Sequence, residues 1–185
     1  MMRNHDRRRF LRHGAKLAVG VLPVAATTRP ALAAGPGPRA LAMNHTHTGE
    51  SLDLVYAMDS QFVPAALGTL NRFLRDHYTG SVGLIDPQLF ELLHRVRGLL
   101  GTESAVYEVI SGYRCPETND RLRHTRGGGV ARRSLHMDGR AIDVRLKGVP
   151  LKELRDAALS LQAGGVGYYE QERFVHLDTG RVRHW

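Results

Sequence analysis

His136 and Asp143 lie seven residues apart in Ser134-Leu-His-Met-Asp-Gly-Arg-Ala-Ile-Asp143, and His176 follows in Phe174-Val-His-Leu-Asp178. Two imidazoles and one carboxylate are a ligand set for a catalytic zinc ion, which takes three protein ligands and keeps a fourth position for water. The chemistry of such a set is metal-assisted hydrolysis, because the ion acidifies its water and polarises a carbonyl. The condition is that three side chains distant in sequence converge. On spacing alone the signal is weak. Ten histidines in a basic chain produce His-x6-Asp pairs by chance, and the competing reading is a hydrogen-bonded surface pair.

The elements that must position these residues are legible from periodicity. Ala141 to Leu146 reads as a short strand carrying Asp143, and Arg173 to Asp178 as another carrying His176. A strand alternates faces with period two. Ile142 and Val144 therefore face away from Asp143, and Val175 and Leu177 face away from Glu172, Phe174, His176 and Asp178. Upstream, Ala40 to His47 and Ser51 to Met58 read as a hairpin joined by Thr48-Gly49-Glu50. Residues 64–78 and 87–99 have helical spacing; the second run starts with Asp86 as N-cap and Pro87 at the first helical position, and stops at Gly101. Ala105 to Ser111 is a strand, Pro116 to Leu122 one or two helical turns, Pro150 to Leu161 an amphipathic helix, and Gly165 to Tyr169 a strand. Thr125-Arg-Gly-Gly-Gly129 is expected to be a mobile loop. With no regular alternation of strand and helix, the pattern predicts an α+β domain built on a small, mainly antiparallel sheet flanked by helices.

The N-terminal segment reads as an address. Asp6-Arg-Arg-Arg-Phe-Leu-Arg12 fits the twin-arginine export pattern, an apolar stretch runs from Leu17 to Ala26, and Ala31-Leu-Ala33 offers a cleavage site. The expected organisation is a signal peptide over 1–33, a linker over 34–39 and one domain over 40–185, located in the periplasm and acting as a monomer. The full chain has 26 Lys+Arg and 18 Asp+Glu. Removing 1–33 leaves 19 basic and 17 acidic residues, a net of +2, so the charge gives no case for nucleic-acid binding. No other run is long and apolar enough for a membrane anchor. Cys115 stands alone, which excludes an internal disulfide and reads as a small buried apolar residue.

Several motifs then follow in one order: Ser111-Gly-Tyr-Arg-Cys-Pro-Glu-Thr-Asn119, the His136–Asp143 run, Gly164-Gly-Val-Gly-Tyr-Tyr169 and Phe174-Val-His176. From about residue 40 to Trp185 this series resembles the zinc D-Ala-D-Ala carboxypeptidase family and, within it, the murein endopeptidase K (YcbK-like) branch. The resemblance implies the lysostaphin, D-Ala-D-Ala peptidase and hedgehog group of folds, and one Zn2+ held by His136, Asp143 and His176. It also implies peptidoglycan stem peptides as substrate, cut next to meso-diaminopimelate, including L,D (3-3) cross-links. Arg114 matches the arginine that lines the site in the family and is the candidate for holding an oxyanion or a substrate carboxylate. Many carboxypeptidases of the family place an acid three residues before the last zinc histidine. Here that residue is Arg173, so the general base is open: Asp178 ranks first and Glu172 second, with fixing the tautomer of a zinc histidine as the other role for Asp178.

Two further readings remain: trimming of a terminal D-alanine by the same site, or a non-catalytic peptidoglycan-binding module. Arg126, Arg132 and Arg133, just before His136, are expected to form a basic rim for acidic stem peptides. His45 and His47 read as a solvated strand face rather than a metal pair. Trp185 either lines a groove or packs down the chain end, and one of Tyr168 and Tyr169 must face the core.

Overall fold

The computed structural model describes residues 37–125 and 130–185. The export segment, the start of the linker and the triple-glycine tract at 127–129 lie outside the described residues. Eight strands, β1 (Arg39–His45), β2 (Ser51–Met58), β3 (Gln61–Phe62), β4 (Tyr107–Ser111), β5 (Ala141–Leu146), β6 (Gly165–Tyr169), β7 (Phe174–Asp178) and β8 (Arg183–His184), form one sheet ordered β3-β2-β1-β4-β5-β7-β6-β8. The pairs β1/β4 and β6/β8 are parallel and the others antiparallel. Four helices complete the domain: α1 (Pro64–Phe73), α2 (Pro87–Leu99), α3 (Pro116–Thr125) and α4 (Leu151–Ser160). This is the α+β architecture, largely antiparallel, that the pattern predicts.

One core joins the sheet to the helices. Ile142, Val144, Val175 and Leu177 pack in a single cluster with Leu89, Leu93 and Val96 of α2 and Leu154 and Ala158 of α4. Burial of the Ile, Val and Leu side chains, each worth about 1.5–3 kcal/mol, fixes which face of β5 and β7 turns inward. The buried Tyr107 hydroxyl donates to the Leu93 carbonyl at 2.8 Å, so the polar end of the largest core side chain on β4 is satisfied.

Helix α2 begins as its sequence predicts: the Asp86 carboxylate accepts from the Gln88 amide at 3.0 Å, with Pro87 following. Helix α1 ends at Phe73, short of residue 78. Asp76 stops it, because its carboxylate accepts from the amides of Tyr78 (2.9 Å), Thr79 (3.3 Å) and Cys115 (2.9 Å), a turn that competes with continued helix. The first strand ends at His45, two residues early. His45 is 1% exposed and packs edge-on against Phe73 and His77, which corrects the solvated-face reading; only His47 is exposed. Strand β4 starts at Tyr107, α3 runs on to Thr125, and β7 starts after Arg173, whose φ of 59° is incompatible with a strand. Cys115 is buried, its thiol 3.4 Å from the Thr118 hydroxyl.

The segment carrying His136 is tied to the body at both ends. The Gly139 carbonyl accepts from the Asp86 amide, and the His136 carbonyl from the Arg114 amide at 3.2 Å. Gly139 has φ +65°, and a Cβ there would collide with the Leu84 carbonyl. Gly49, in the β1–β2 turn, has φ +72° with open space around it. We expect Gly49→Ala to cost about 1 kcal/mol from the left-handed backbone alone. Gly139→Ala should cost more than about 2 kcal/mol because a collision is added. Thermal unfolding checks this: the second variant should melt roughly 4–8 °C lower than the parent.

Candidate metal centre

The register of three strand pairs sets Ser111 of β4, Asp143 of β5, His176 of β7 and Gly167 of β6 side by side. Residues paired this way share one face of a sheet, here the face opposite Ile142, Val144, Val175 and Leu177. The period-two pattern thus delivers Asp143 and His176 together, and the loop after Ser134 brings His136 over them.

The three inner atoms converge. His176 Nδ1 lies 2.8 Å from Asp143 Oδ1 and 3.2 Å from His136 Nε2, and His136 Nε2 lies 3.3 Å from Asp143 Oδ1. All three residues are buried, at 2, 6 and 8% exposure for His136, Asp143 and His176. Among the described residues this is the one His/Asp group whose ligand atoms gather closely enough to hold a metal ion. Ligand bonds of 2.0–2.1 Å in a tetrahedron separate the ligand atoms by about 3.3 Å, close to the spacing here.

The outer atoms settle what the inner ones offer. His136 Nδ1 is 2.7 Å from the Gly112 carbonyl, which only accepts, so the proton sits on Nδ1 and Nε2 turns a lone pair inward. His176 Nε2 faces Asp178 Oδ2 at 3.2 Å and likewise carries a proton. The inner triangle therefore consists of electron-pair donors, which repel unless a cation lies between them. Without a metal that cation is a proton. Burial pushes His176 down, but its bonds to Asp143 and Asp178 win and raise its pKa to about 9. Burial lowers His136, against the pull of Asp143. Burial alone would raise Asp143, yet the two imidazoles hold it far below the usual carboxylate range. The donor set thus fits a divalent ion of borderline softness.

Asp178 is fully buried, and every near neighbour of its oxygens donates to them: Arg183 with both Nη atoms at 2.7 and 3.0 Å, and the amides of Gly165 (3.1 Å) and Gly180 (2.8 Å). Burial would raise its pKa; His176, Arg183 and the Gly180 amide hold it well below the carboxylate range. It does not border the cleft. Arg183 had no place in the sequence reading. Its only signal there was a basic residue five positions past a site-facing aspartate, shared in kind with Arg181.

A cleft of about 460 Å³ opens over the triangle. Arg114, Glu172, Arg133, Tyr169 and Trp185 line it, so Arg114 and Glu172 border the cleft, whereas Asp178 is not among its lining residues. Arg114 Nη2 is 3.6 Å from Asp143 Oδ2. Of the predicted basic rim, Arg133 borders the cleft, Arg132 is exposed, and Arg126 lies outside the described residues. Tyr168 packs on the core and Tyr169 faces the cleft, as alternation requires.

The model of a family described as peptidoglycan L,D-endopeptidase MepK matches residues 33–185. The chain belongs to this peptidase family. It is 44% identical over 172 residues to the peptidoglycan L,D-endopeptidase MepK of Escherichia coli (strain K12), covering 93% of this chain and 92% of that one. The corresponding protein of Shigella flexneri is similar to the same extent. A probable peptidoglycan L,D-endopeptidase MepK of Haemophilus influenzae is 40% identical, covering 93% and 90%. No solved structure matches the chain.

Two outcomes follow from the MepK-family centre. Asp178→Asn removes the charge that orients His176 and should weaken metal binding about 10- to 100-fold, read by competition with a chromogenic chelator. Metal must displace the His176 proton, so binding should release one proton per ion between pH 6.5 and about 9. Affinity, titrated calorimetrically, should accordingly rise about tenfold per pH unit there and level off above about 9.

Proposed function

We infer that the protein is a zinc-dependent murein endopeptidase that hydrolyses peptide cross-links of peptidoglycan, next to meso-diaminopimelate and including L,D (3-3) links. The observation that carries this reading is the buried triangle of electron-pair donors opening into a substrate-sized cleft, in a chain of the MepK family. His136, Asp143 and His176 are the residues to hold one zinc ion. The ion supplies Lewis acidity for hydrolysis.

The chain's own residues supply the rest. Arg114, at the Asp143 flank, is placed to stabilise negative charge developing on the scissile carbonyl or to hold a substrate carboxylate. Glu172, on the cleft wall, is assigned the proton transfers. Asp178 is assigned the orienting of His176, because a carboxylate sealed from the cleft and held by Arg183 has no path to substrate. The order of the two candidate acids is thereby reversed. Arg133 contributes positive charge that suits the free carboxylates of stem peptides. Endopeptidase rather than carboxypeptidase action is the reading favoured by the family match and by the names of the relatives.

The chain is taken to act outside the cytoplasm as a monomer, with residues 1–33 as a twin-arginine signal. No helix among the described residues is long and apolar enough to cross a membrane. Incubation with purified sacculi should release uncross-linked muropeptides, and a chelator should stop it. Glu172→Gln and Arg114→Ala should each lower kcat about 10²- to 10³-fold with zinc retained. Full activity in Glu172→Gln would remove that residue from the mechanism.

A further inference from the structure

We propose that Trp185 is a specificity-determining wall of the cleft, on which the aliphatic arm of the cross-linking diamino acid lies; the choice of ligand rests on the endopeptidase reading above. The indole is 50% exposed and borders the cleft, with its centroid 5.3 Å from that of His176. Arg114 stands beside Asp143, so the centre has a cationic flank and an aromatic flank.

Trp185 is held by two main-chain hydrogen bonds and by two contacts to its ring. The Trp185 carbonyl accepts from the Tyr168 amide at 3.0 Å, and the Trp185 amide donates to the Val166 carbonyl at 3.3 Å. Those bonds bracket Gly167, the residue paired with His176 in the sheet. A Cβ on Gly167 would stand 2.7 Å from the indole, so glycine there is what lets the ring lie beside the metal ligand. The indole Nε1 donates to the Tyr169 hydroxyl at 2.9 Å, and the Arg183 guanidinium sits 4.9 Å from the ring centroid. Arg183 also grips Asp178, which holds His176, so indole and zinc ligand share one support. Tyr169 stacks on Phe174 at 4.5 Å and extends the aromatic surface. A half-exposed aromatic held this firmly has little order left to lose on binding, which favours contact with a flexible chain. Carboxylates of a stem peptide suit the arginine flank; methylenes suit this one.

The sequence contains a single tryptophan, so intrinsic fluorescence reports this site alone. The zinc-loaded protein, Trp185→Ala and Gly167→Ala are assayed on purified cross-linked muropeptide dimers, and the parent is titrated with the stem tetrapeptide product while its emission is followed. Losing contact with two or so methylenes should raise KM about tenfold, with kcat within about threefold, in both variants at unchanged zinc content. Gly167→Ala keeps the indole but displaces it, so a parallel effect locates the function in the ring's position. The titration should give a saturable change in emission. Parent cleavage with KM unchanged within twofold in both variants, or no saturable emission change, overturns the assignment of Trp185. A parent that cleaves no dimer overturns the endopeptidase reading instead, and the titration still decides whether the indole meets a stem peptide.

Discussion

Three electron-pair donors are forced into mutual contact in a buried place. His136 Nε2, His176 Nδ1 and Asp143 Oδ1 stand 2.8–3.3 Å apart. Such an arrangement is stable only around a positive charge, and burial makes any unpaired member costly. The Gly112 carbonyl and Asp178 take the outer imidazole protons and so aim the lone pairs inward. Arg183 and two backbone amides keep Asp178 ionised and still. Removing any of these outer contacts would loosen the inner triangle without touching it.

The scaffold explains why the triangle persists. Antiparallel pairing sets Asp143 directly opposite His176, and the apolar residues between them on the reverse face are locked into the core with α2 and α4. A one-residue slip of either strand would bury its polar side chain and expose its apolar neighbours, so hydrophobic burial enforces the geometry of the triangle. His136 lacks that protection. It is placed by a loop whose path depends on Gly139 passing close to Leu84 and on backbone bonds to Asp86 and Arg114.

Alternation alone showed that Asp143 and His176 each point away from their strand's apolar residues. It did not show that β5 and β7 are neighbours, because period two assigns faces and not partners. The motif series supplied the convergence that spacing could not. Elements with strong local signals, such as the Asp86–Pro87 start of α2, were legible to the residue. The end of α1 was not, because Asp76 receives an amide from Cys115, far along the chain. His45 looked solvated for a related reason: its cover comes from Phe73 and His77, beyond any window that reads one strand. Asp178 shows the limit most clearly. Its place on the ligand face was correct, yet base and tautomer anchor differ only in access to the cleft, which depends on Arg183 and two glycine amides.

The central claim is most directly tested by X-ray absorption at the zinc edge on protein purified at known metal stoichiometry. One zinc per chain, with two imidazole nitrogens and light-atom oxygen ligands at about 2.0–2.1 Å, is the result expected from the triangle. Absence of bound metal after exposure to zinc, or equal retention of zinc by a His136→Ala, His176→Ala double variant, would contradict it.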